Sequence, residues 1–262
     1  MNYESAVAPI LREVRTTVMP HYGNVKSFAQ KDGEATEAAA NVLTVLDEQV
    51  EEFLRDRLLK LDPTISFVGE ETGGDRTKER FWLVDPIDAT AHFIRGLPFC
   101  TTMVALVEHD QVMFSAIYDF VNDKLFSAER GKGATMNGTA IHVSSRSLRE
   151  AYVSYETHMG KNENLKTFQN LRSKSVLFTT ACCGIEYTMI ASGKLDGRVA
   201  FDPYGKDYDF APGSLLVQEA GGIVANLGKT TYDYRNRDFI AANPIIFKEL
   251  TEGPDAIFPI KT

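Results

Sequence analysis

Two stretches near the amino terminus carry apolar residues at the spacing of a helix. The first predicts a helix that ends before Pro20 and Gly23. Its apolar positions are Val7, Ile10, Leu11, Val14 and Val18. The second predicts a helix over 42–60, which Pro63 ends. Its apolar positions are Val42, Leu46, Val50, Phe53, Leu54 and Leu58. Residues 25–40 are polar or small, so we expect a mobile loop that leads into the second helix.

Two apolar runs that follow the second helix predict buried strands. The first covers 65–68, and the second covers 81–84 and stops at Pro86. Pro86 fixes its own φ and favours an extended Asp85, so we expect Asp85 and Asp88 to converge from either side of a rigid turn. A helical turn capped by Asp88 or Thr90 should follow.

The remaining pattern divides the chain into two halves. A hairpin of strands over 101–107 and 112–118 and a strand over 124–128 complete the first half. Glycines 131, 133 and 138 lack the order of a nucleotide-binding motif and indicate turns at a sheet edge. From residue 151 onward, strands and helices alternate. The strands are expected at 151–155, 176–179, 195–201, 223–225 and 239–241, and the helices at 164–172, 184–191 and 209–220. We therefore predict an N-terminal lobe (1–145) and a C-terminal lobe (146–262).

Composition narrows the class of protein. A chain of 262 residues with 44% hydrophobic residues can build one compact unit with a large core. The net charge of −8 argues against a nucleic-acid partner. The sequence has no apolar run of about 18 residues and no basic-then-apolar start, so we expect a cytoplasmic protein without a membrane partner. The three cysteines, Cys100, Cys182 and Cys183, fit neither a zinc spacing nor a disulfide framework.

Acidic residues follow both predicted strands. Glu70 and Glu71 come directly after the first strand, and Asp85 and Asp88 come after the second. If the two strands are neighbours, Glu70 lies next to Asp85. Carboxylate oxygens suit Mg²⁺ and the free amides of a helix start suit a phosphate oxygen, a combination that indicates phosphoryl chemistry. Alone, such a turn is more often an ordinary one in which Asp85 caps a helix and Asp88 is solvated.

Two further carboxylates have ordinary explanations as well as functional ones. Asp47 lies three residues after Thr44, hence on the same helix face, and helix carboxylates are usually solvated. Asp209 opens a predicted helix and could serve as its N-cap alone.

In combination, these motifs resemble the inositol monophosphatase family. They are Glu70-Glu71, Asp85-Pro86-Ile87-Asp88-x-Thr90, and Asp209 at the head of a helix that ends Glu219-Ala220-Gly221-Gly222. Their order and spacing match the family from Asp47 to Gly222. The resemblance implies an α/β (α+β) fold, a layered αβαβα sandwich of the sugar-phosphatase type that is usually a homodimer. It also implies a lithium-sensitive phosphomonoesterase that uses two or three Mg²⁺ per subunit and a small phosphorylated metabolite as substrate.

The resemblance implies metal ligands by position. Glu70, Asp85 and the carbonyl oxygen of Ile87 would hold the first Mg²⁺. Asp85, Asp88 and Asp209 would hold the second, and a third, weaker ion would bind at Glu70.

Catalytic and substrate contacts are also implied by position. Asp47 and Thr90 would orient and deprotonate the attacking water, with Glu70 as a further catalytic residue through its metal. The amides of Ala89 and Thr90 would bind phosphoryl oxygens. The substrate contacts would be Asp88, Cys183, Asp202 and Asp209.

The chain departs from the family pattern around the substrate. Ala89 stands where the family has Gly, and a positive φ there would add strain of roughly 1 kcal/mol. Ala91 and His92 replace the more usual Thr and Asn, and Asp202 stands where inositol phosphatases often have a Glu. The run Ala181-Cys182-Cys183 stands where Gly-Thr-Ala is common.

These departures leave several substrates open. Inositol 1-phosphate is the leading hypothesis. Residues 93–98 and 206–209 also resemble the histidinol-phosphate phosphatases, and a bifunctional inositol phosphatase/fructose-1,6-bisphosphatase ranks third, ahead of the nucleotide phosphatases. A regulatory homologue without turnover is the non-enzyme alternative; the complete set of acidic ligands argues against it, since without catalysis nothing requires mutually repulsive carboxylates at one point.

Overall fold

A computed structural model of the chain describes residues 2–25, 29–30 and 42–261. The helices are α1 (Tyr3–Val18), α2 (Val45–Leu61), α3 (Thr90–Arg95), α4 (Asn162–Lys174), α5 (Cys183–Ala191), α6 (Asp207–Glu219) and α7 (Pro244–Thr251). The strands are β1 (Ala29–Gln30), β2 (Val42–Leu43), β3 (Ser66–Gly69), β4 (Arg80–Asp88), β5 (Thr101–Glu108), β6 (Gln111–Asp119), β7 (Lys124–Glu129), β8 (Gly133–Met136), β9 (Thr139–Ala140), β10 (Tyr152–Glu156), β11 (Val176–Leu177), β12 (Gly197–Ala200), β13 (Ile223–Asn226) and β14 (Phe239–Ala242). Short 3₁₀ turns lie at Met19–His21 and Leu148–Glu150.

Most strands of the described residues belong to two sheets. The larger sheet has seven strands in the order β3-β4-β5-β6-β7-β8-β9, and the smaller has five in the order β11-β10-β12-β14-β13. In the larger sheet β3 and β4 are parallel, and the later neighbours are antiparallel. The carboxyl ends of β3 and β4 therefore lie at the same edge of that sheet, where the acidic residues follow.

The central strand β4 shows how the layers stack, because successive side chains of a strand point to opposite faces. Trp82 and Val84 pack in a core formed with α1 and α2. Phe81 and Leu83 pack in a second core formed with α5 and α6. Both faces of this strand are buried, as its continuous apolar run predicts.

The second core joins the two sheets. Residues of α5 and α6 contact β4 on one side and Phe239 and Ala241 of β14 on the other. The outer face of the smaller sheet is covered by α4 and α7, through residues such as Leu171 and Ile246. The layers are thus helices, seven-stranded sheet, helices, five-stranded sheet and helices, which confirms the αβαβα sandwich.

Several predicted element boundaries were wrong, because a helix cap or strand pairing decides the backbone at those positions. The helix expected from residue 42 begins at Val45, with Val42 in β2 and Thr44 as N-cap. The turn expected at Pro86 is a continuation of β4 to Asp88. A proline is tolerated there because the β4–β5 pairing is irregular between Asp85 and Asp88.

Two predicted helix caps were also wrong. The N-cap of α3 is Ala89, without a side-chain hydrogen bond, because the side chains of Asp88 and Thr90 bind elsewhere. The helix expected to open at Asp209 begins at Asp207, which places Asp209 in its first turn. Helix α7 was not predicted.

Three further expectations concern larger regions. Most of the predicted loop over 25–40 lies outside the described residues. The boundary at residues 145–146 falls between β9 and β10, and the division into lobes stays a prediction, since α5 and α6 contact both sheets. No helix within residues 2–25, 29–30 and 42–261 is long and apolar enough to cross a bilayer.

Candidate active site

The parallel pairing of β3 and β4 brings two of the predicted carboxylates to one place. Gly69 is opposite Val84, and the N–H of Glu70 donates to the carbonyl oxygen of Val84 at 3.0 Å. Glu70 therefore follows β3 at the level where Asp85 continues β4. The side chain of Asp85 is 1% exposed, and its Oδ1 has no hydrogen-bond partner.

A bulge in β4 lets Asp88 join this pair. Asp85 pairs with Met103 and Asp88 with Thr101, so β4 has two residues where β5 has one. Residues three apart on a regular strand point to opposite faces, and the extra residue reverses that. Asp85 and Asp88 can then face the same site.

The chain next makes a strained turn into α3. Ala89 has φ 65° and ψ 51°, the left-handed conformation that favours glycine. At this positive φ the methyl group of Ala89 adds the strain expected for a position where the family has Gly. The amides at the start of α3 have no acceptor inside the helix and are available to an anion.

The first turn of α2 forms a hydrogen-bonded chain with Thr90. Asp47 Oδ2 accepts from Thr44 N at 2.8 Å and from Thr44 Oγ1 at 2.7 Å, so Thr44 caps the helix and fixes the carboxylate. Thr90 Oγ1 lies 2.6 Å from Asp47 Oδ1 and 2.9 Å from the carbonyl oxygen of Ile87. A hydroxyl that donates its one proton to Asp47 keeps its lone pairs to accept from a water.

The second half of the chain contributes Asp209 and the start of α5. Asp209 Oδ2 accepts from the N–H of Lys206 at 2.6 Å. Asp88 Oδ2 accepts from the N–H of Gly184 at 2.6 Å and from Cys182 Sγ at 3.0 Å. A Cβ at Gly184 would lie 3.1 Å from Asp88 Oδ2 and 2.1 Å from the Thr101 hydroxyl, so glycine permits this close approach.

Burial raises the pKa of three carboxyl groups, and mutual repulsion adds to this for two of them, Asp85 and Asp209. For Asp85 the main cause is burial, followed by the charges of Glu70, Asp88 and Asp209. Burial followed by Glu70 and Asp88 raises the pKa of Asp209. The pKa of Asp88 is also raised by burial, against the opposing hydrogen bonds from Cys182 and Gly184.

This set of residues fits divalent cations. Converging carboxylates that repel one another, with a buried oxygen of Asp85 that lacks a donor, are the hard ligands that Mg²⁺ prefers. One ligand atom from each of Asp88, Cys183 and Asp209 also lies within 4.8 Å of the others. The structure thus brings the predicted metal-site residues together at one edge of the larger sheet.

Asp202 is bound elsewhere by its neighbours. Its carboxylate accepts from Lys161 Nζ at 2.7 Å and from Asn164 Nδ2 at 2.8 Å. The hydrogen bond from Lys161 is the main cause that lowers its pKa. A contact between Asp202 and substrate stays a prediction.

Sequence reasoning missed Glu51, which supports the loop of Glu70. Its buried carboxylate accepts from the N–H of Glu71 at 2.8 Å, the N–H of Thr72 at 2.9 Å and the hydroxyl of Thr72. A Cβ at Gly69 would lie 2.2 Å from the carboxylate carbon of Glu51. The available signal was its position one helical turn after Asp47, on the same face of α2.

A buried ion cluster beside Cys183 was also missed. Arg198 is almost fully buried in β12 and forms ion pairs with Glu156 and Glu186. Arg198 Nη2 also lies 3.2 Å from Cys183 Sγ. An arginine inside an apolar strand was the signal, because such a charge is rarely buried without partners.

Comparisons with known proteins agree with this geometry. The sequence model of the inositol monophosphatase family matches residues 4–253. Inositol monophosphatase 2 of Solanum lycopersicum is 30% identical over 216 residues, which cover 78% of this chain and 81% of that protein. The solved structure of an inositol monophosphatase (IMPase) of Thermotoga maritima is 25% identical, with a TM-score of 0.85 over 95% of each chain.

A more distant structure shows the same fold. An IMPase/NADP phosphatase solved with Mg²⁺ and phosphate is 21% identical, with a TM-score of 0.80 over 95% of this chain and 93% of that one.

Proposed function

Because the chain belongs to the inositol monophosphatase family and is a metal-dependent phosphoric monoester hydrolase, we propose that it hydrolyses inositol 1-phosphate with Mg²⁺. The observation that carries the proposal is the convergence of Glu70, Asp85, Asp88 and Asp209 beside the Asp47–Thr90 hydrogen bond. A phosphate monoester dianion repels its nucleophile, and this cluster is where bound cations would neutralise it.

We assign the metal ligands as the family resemblance implies. Glu70, Asp85 and the carbonyl of Ile87 would hold one Mg²⁺, and Asp85, Asp88 and Asp209 the second, with a weaker third ion at Glu70. When bound, these ions lower the pKa of water and stabilise the entering and leaving oxygens of an in-line displacement. The Mg²⁺ and phosphate in the distant IMPase/NADP phosphatase support this choice of ion.

The residues of this chain orient the water and the phosphoryl group. Thr90 accepts a hydrogen bond from the attacking water while its own proton is donated to Asp47 Oδ1 at 2.6 Å. Asp47 is fixed by Thr44 and takes up the proton as the water attacks. The amides of Ala89 and Thr90 bind phosphoryl oxygens at the start of α3.

A second candidate substrate is histidinol phosphate. The observation that favours it is the position of Asp202, whose carboxylate is bound by Lys161 and Asn164. Both bonds go to Oδ2, which leaves Asp202 less available to sugar hydroxyls than the Glu of inositol phosphatases would be.

Released phosphate tests the proposed function directly. The purified chain is given inositol 1-phosphate, histidinol phosphate, fructose 1,6-bisphosphate and adenosine bisphosphate, with and without Mg²⁺. We expect Mg²⁺-stimulated release with inositol 1-phosphate as the best substrate. If histidinol phosphate is better, the second candidate replaces it, and if no ester is hydrolysed, the chain is a homologue without turnover.

The variant Asp88→Asn tests the site itself. Loss of this ligand should lower Mg²⁺-dependent turnover by about 100-fold or more. Mutation of a residue that only hydrogen-bonds to a metal ligand already lowers metal affinity or activity by about 10–100-fold. Asp56→Asn, at an exposed position of α2, is the control and should keep full turnover. Near-normal turnover of Asp88→Asn would contradict the assignment.

Assembly, location and inhibition are further parts of the proposal. By the family resemblance we propose a cytoplasmic homodimer, which light scattering of the purified protein and fractionation of the source cells test. The same resemblance predicts that lithium inhibits Mg²⁺-dependent turnover, and titration with LiCl tests this.

A further inference from the structure

The thiol of Cys183 lies among the carboxylates of the active site. One ligand atom each from Asp88, Cys183 and Asp209 lies within 4.8 Å of the other two. A tetrahedral cation about 2.0–2.3 Å from its oxygen and sulfur ligands holds them roughly 3.3–3.8 Å apart, so atoms that lie within 4.8 Å of one another reach one cation by small side-chain rotations. The arrangement is fixed locally, because the N–H of Gly184, next to Cys183, donates to Asp88 Oδ2 at 2.6 Å.

The buried ion cluster of Arg198, Glu156 and Glu186 contacts the sulfur of Cys183. Arg198 Nη2 lies 3.2 Å from Cys183 Sγ, and the same guanidinium pairs with Glu156 and Glu186. The ion pairs with Glu156 and Glu186 offset the positive charge of the guanidinium that lies beside the sulfur.

A separate observation also points to a cation at this place. Asp85 Oδ1 is buried without a hydrogen-bond donor, and Asp85 lies within the fields of Asp88 and Asp209. A buried carboxylate oxygen without a partner is unfavourable, and a metal ion satisfies it.

The sulfur ligand of Cys183 raises the affinity of the site for some cations and not for others. Thiolates bind Zn²⁺ and Cd²⁺ well, whereas Mg²⁺ takes oxygen ligands and dehydrates reluctantly. A site made only of oxygen ligands therefore does not describe a cluster that includes this sulfur.

We propose that Cys183, together with Asp88 and Asp209, forms a binding site for a thiophilic divalent cation such as Zn²⁺ or Cd²⁺, in competition with Mg²⁺. The inference rests on the proposed function, in which the same two carboxylates hold Mg²⁺. As the sulfur–metal bond forms, the thiol proton passes to solvent. Such an ion displaces Mg²⁺ and stops turnover, and Mg²⁺ itself gains little from the sulfur.

Binding of Cd²⁺ to the metal-free, full-length protein tests the proposal. Thiolate ligation gives an ultraviolet charge-transfer band, and calorimetry gives the dissociation constants of Cd²⁺ and Mg²⁺. We expect the band in the wild type and its loss in Cys183→Ala. The Cd²⁺ dissociation constant should rise by at least about tenfold in that variant, while the Mg²⁺ constant changes little.

Matched cysteine variants identify the sulfur. Cys100→Ala and Cys182→Ser should keep the band, although both thiols are buried and Cys182 contacts Asp88. A band that survives Cys183→Ala, or one that disappears only in Cys182→Ser, overturns the proposal. Cys183→Ser, which keeps the side-chain volume, carries the test if the alanine variant does not fold.

The readout separates this inference from the proposed function. Mg²⁺-stimulated phosphate release without a Cd²⁺ band in the wild type overturns the Cys183 site alone. A band that depends on Cys183 in a protein that hydrolyses none of the esters supports the site and contradicts the proposed function alone.

Discussion

Ala89 is the residue at which local conformation and function conflict most clearly. Its left-handed φ of 65° costs an alanine roughly 1–2 kcal/mol. The surrounding bonds hold it there, since the N–H groups of His92 and Phe93 donate to its carbonyl oxygen at 2.8 and 3.2 Å. The turn that presents the amides proposed to bind phosphate is therefore strained in this chain.

We predict that Ala89→Gly stabilises the protein. The free energy of unfolding should rise by about 0.5–1 kcal/mol, because the relief of strain exceeds the entropy that glycine adds to the unfolded chain. Urea unfolding of both proteins measures the difference. Ala91→Gly is the matched control, and it should lower stability by about 0.5–1 kcal/mol because Ala91 lies inside α3. A less stable Ala89→Gly would contradict the assigned strain.

The strain at Ala89 could be predicted only conditionally from the sequence. The resemblance identified the position as one where the family has Gly, but the sign of φ depends on how β4 meets α3. The side-chain bonds of Asp88 and Thr90 could not be predicted, since their partners, Gly184 and Asp47, lie far away in the sequence.

Among the elements, α2 is the one that supports two parts of the site at once. Asp47 in its first turn binds Thr90, and Glu51 one turn later binds the backbone of Glu71 and Thr72. One helix thereby sets the distance between the Asp47–Thr90 hydrogen bond and the loop that carries Glu70.

We predict that Glu51→Gln weakens Mg²⁺ binding more than it lowers turnover at saturating Mg²⁺. Both oxygens of Glu51 accept from backbone N–H groups, those of Glu71 and Thr72. The amide of a glutamine has only one oxygen, so its NH₂ group would face one of these N–H donors and could not accept from it. The loop of Glu70 should then shift, and the Mg²⁺ dissociation constant should rise by about tenfold or more. Calorimetry and the Mg²⁺ dependence of phosphate release measure the two effects.

The neighbouring Glu52 provides the control for that experiment. It is exposed on the same helix, so Glu52→Gln should leave Mg²⁺ binding unchanged. Equal turnover and Mg²⁺ affinity in wild type and Glu51→Gln would show that Glu51 does not position the Glu70 loop.

Elements with a strong local pattern could be predicted, and those set by distant contacts could not. The β5–β6 hairpin and the apolar part of β4 follow from their own residues. The extension of β4 through Pro86 depends on pairing with β5. The start of α2 is an exception, because the local Thr44–Asp47 capping box that sets it is visible in the sequence but was missed. Arg198 interrupts the apolar sequence of β12. Its burial could not be predicted, because its ion-pair partners Glu156 and Glu186 lie on other elements.

At the scale of the whole molecule, the acidic cluster of Glu70, Asp85, Asp88 and Asp209 connects both halves of the chain. Glu70 follows β3, and Asp85 and Asp88 lie at the carboxyl end of β4, whereas Asp209 belongs to α6 between the two sheets. Without cations, folding forces these carboxylates together. The same cluster should therefore reduce the stability of the metal-free protein and increase it when Mg²⁺ is bound.

The sign of this effect follows from the raised pKa of Asp85. Its pKa in the folded protein lies well above the ordinary value of 3.8, mainly because of burial and then because of Glu70. The folded state thus holds this proton more strongly than the unfolded state. The resulting stabilisation is complete below about pH 3.8 and is lost as the pH rises through the folded pKa.

We predict that Asp85→Asn is more stable than the wild type when no metal is present, and less stable when Mg²⁺ is in excess. Without metal the advantage should grow with pH above 3.8, by about 1.4 kcal/mol for each unit by which the pKa is raised. Mg²⁺ should reverse the order, because it binds the ionised aspartate. Urea unfolding across pH, with a chelator or with Mg²⁺, measures both differences.

Asp75→Asn is a control of opposite sign. A hydrogen bond from Thr77 lowers the pKa of the exposed Asp75, so its contribution to stability is present above pH 3.8 and is lost as the pH falls. The asparagine variant should be the less stable protein at neutral pH, with or without Mg²⁺. If Asp85→Asn behaves like this control in the metal-free protein, the carboxylates do not repel one another in the fold, and the physical reason for a cation at this site is removed.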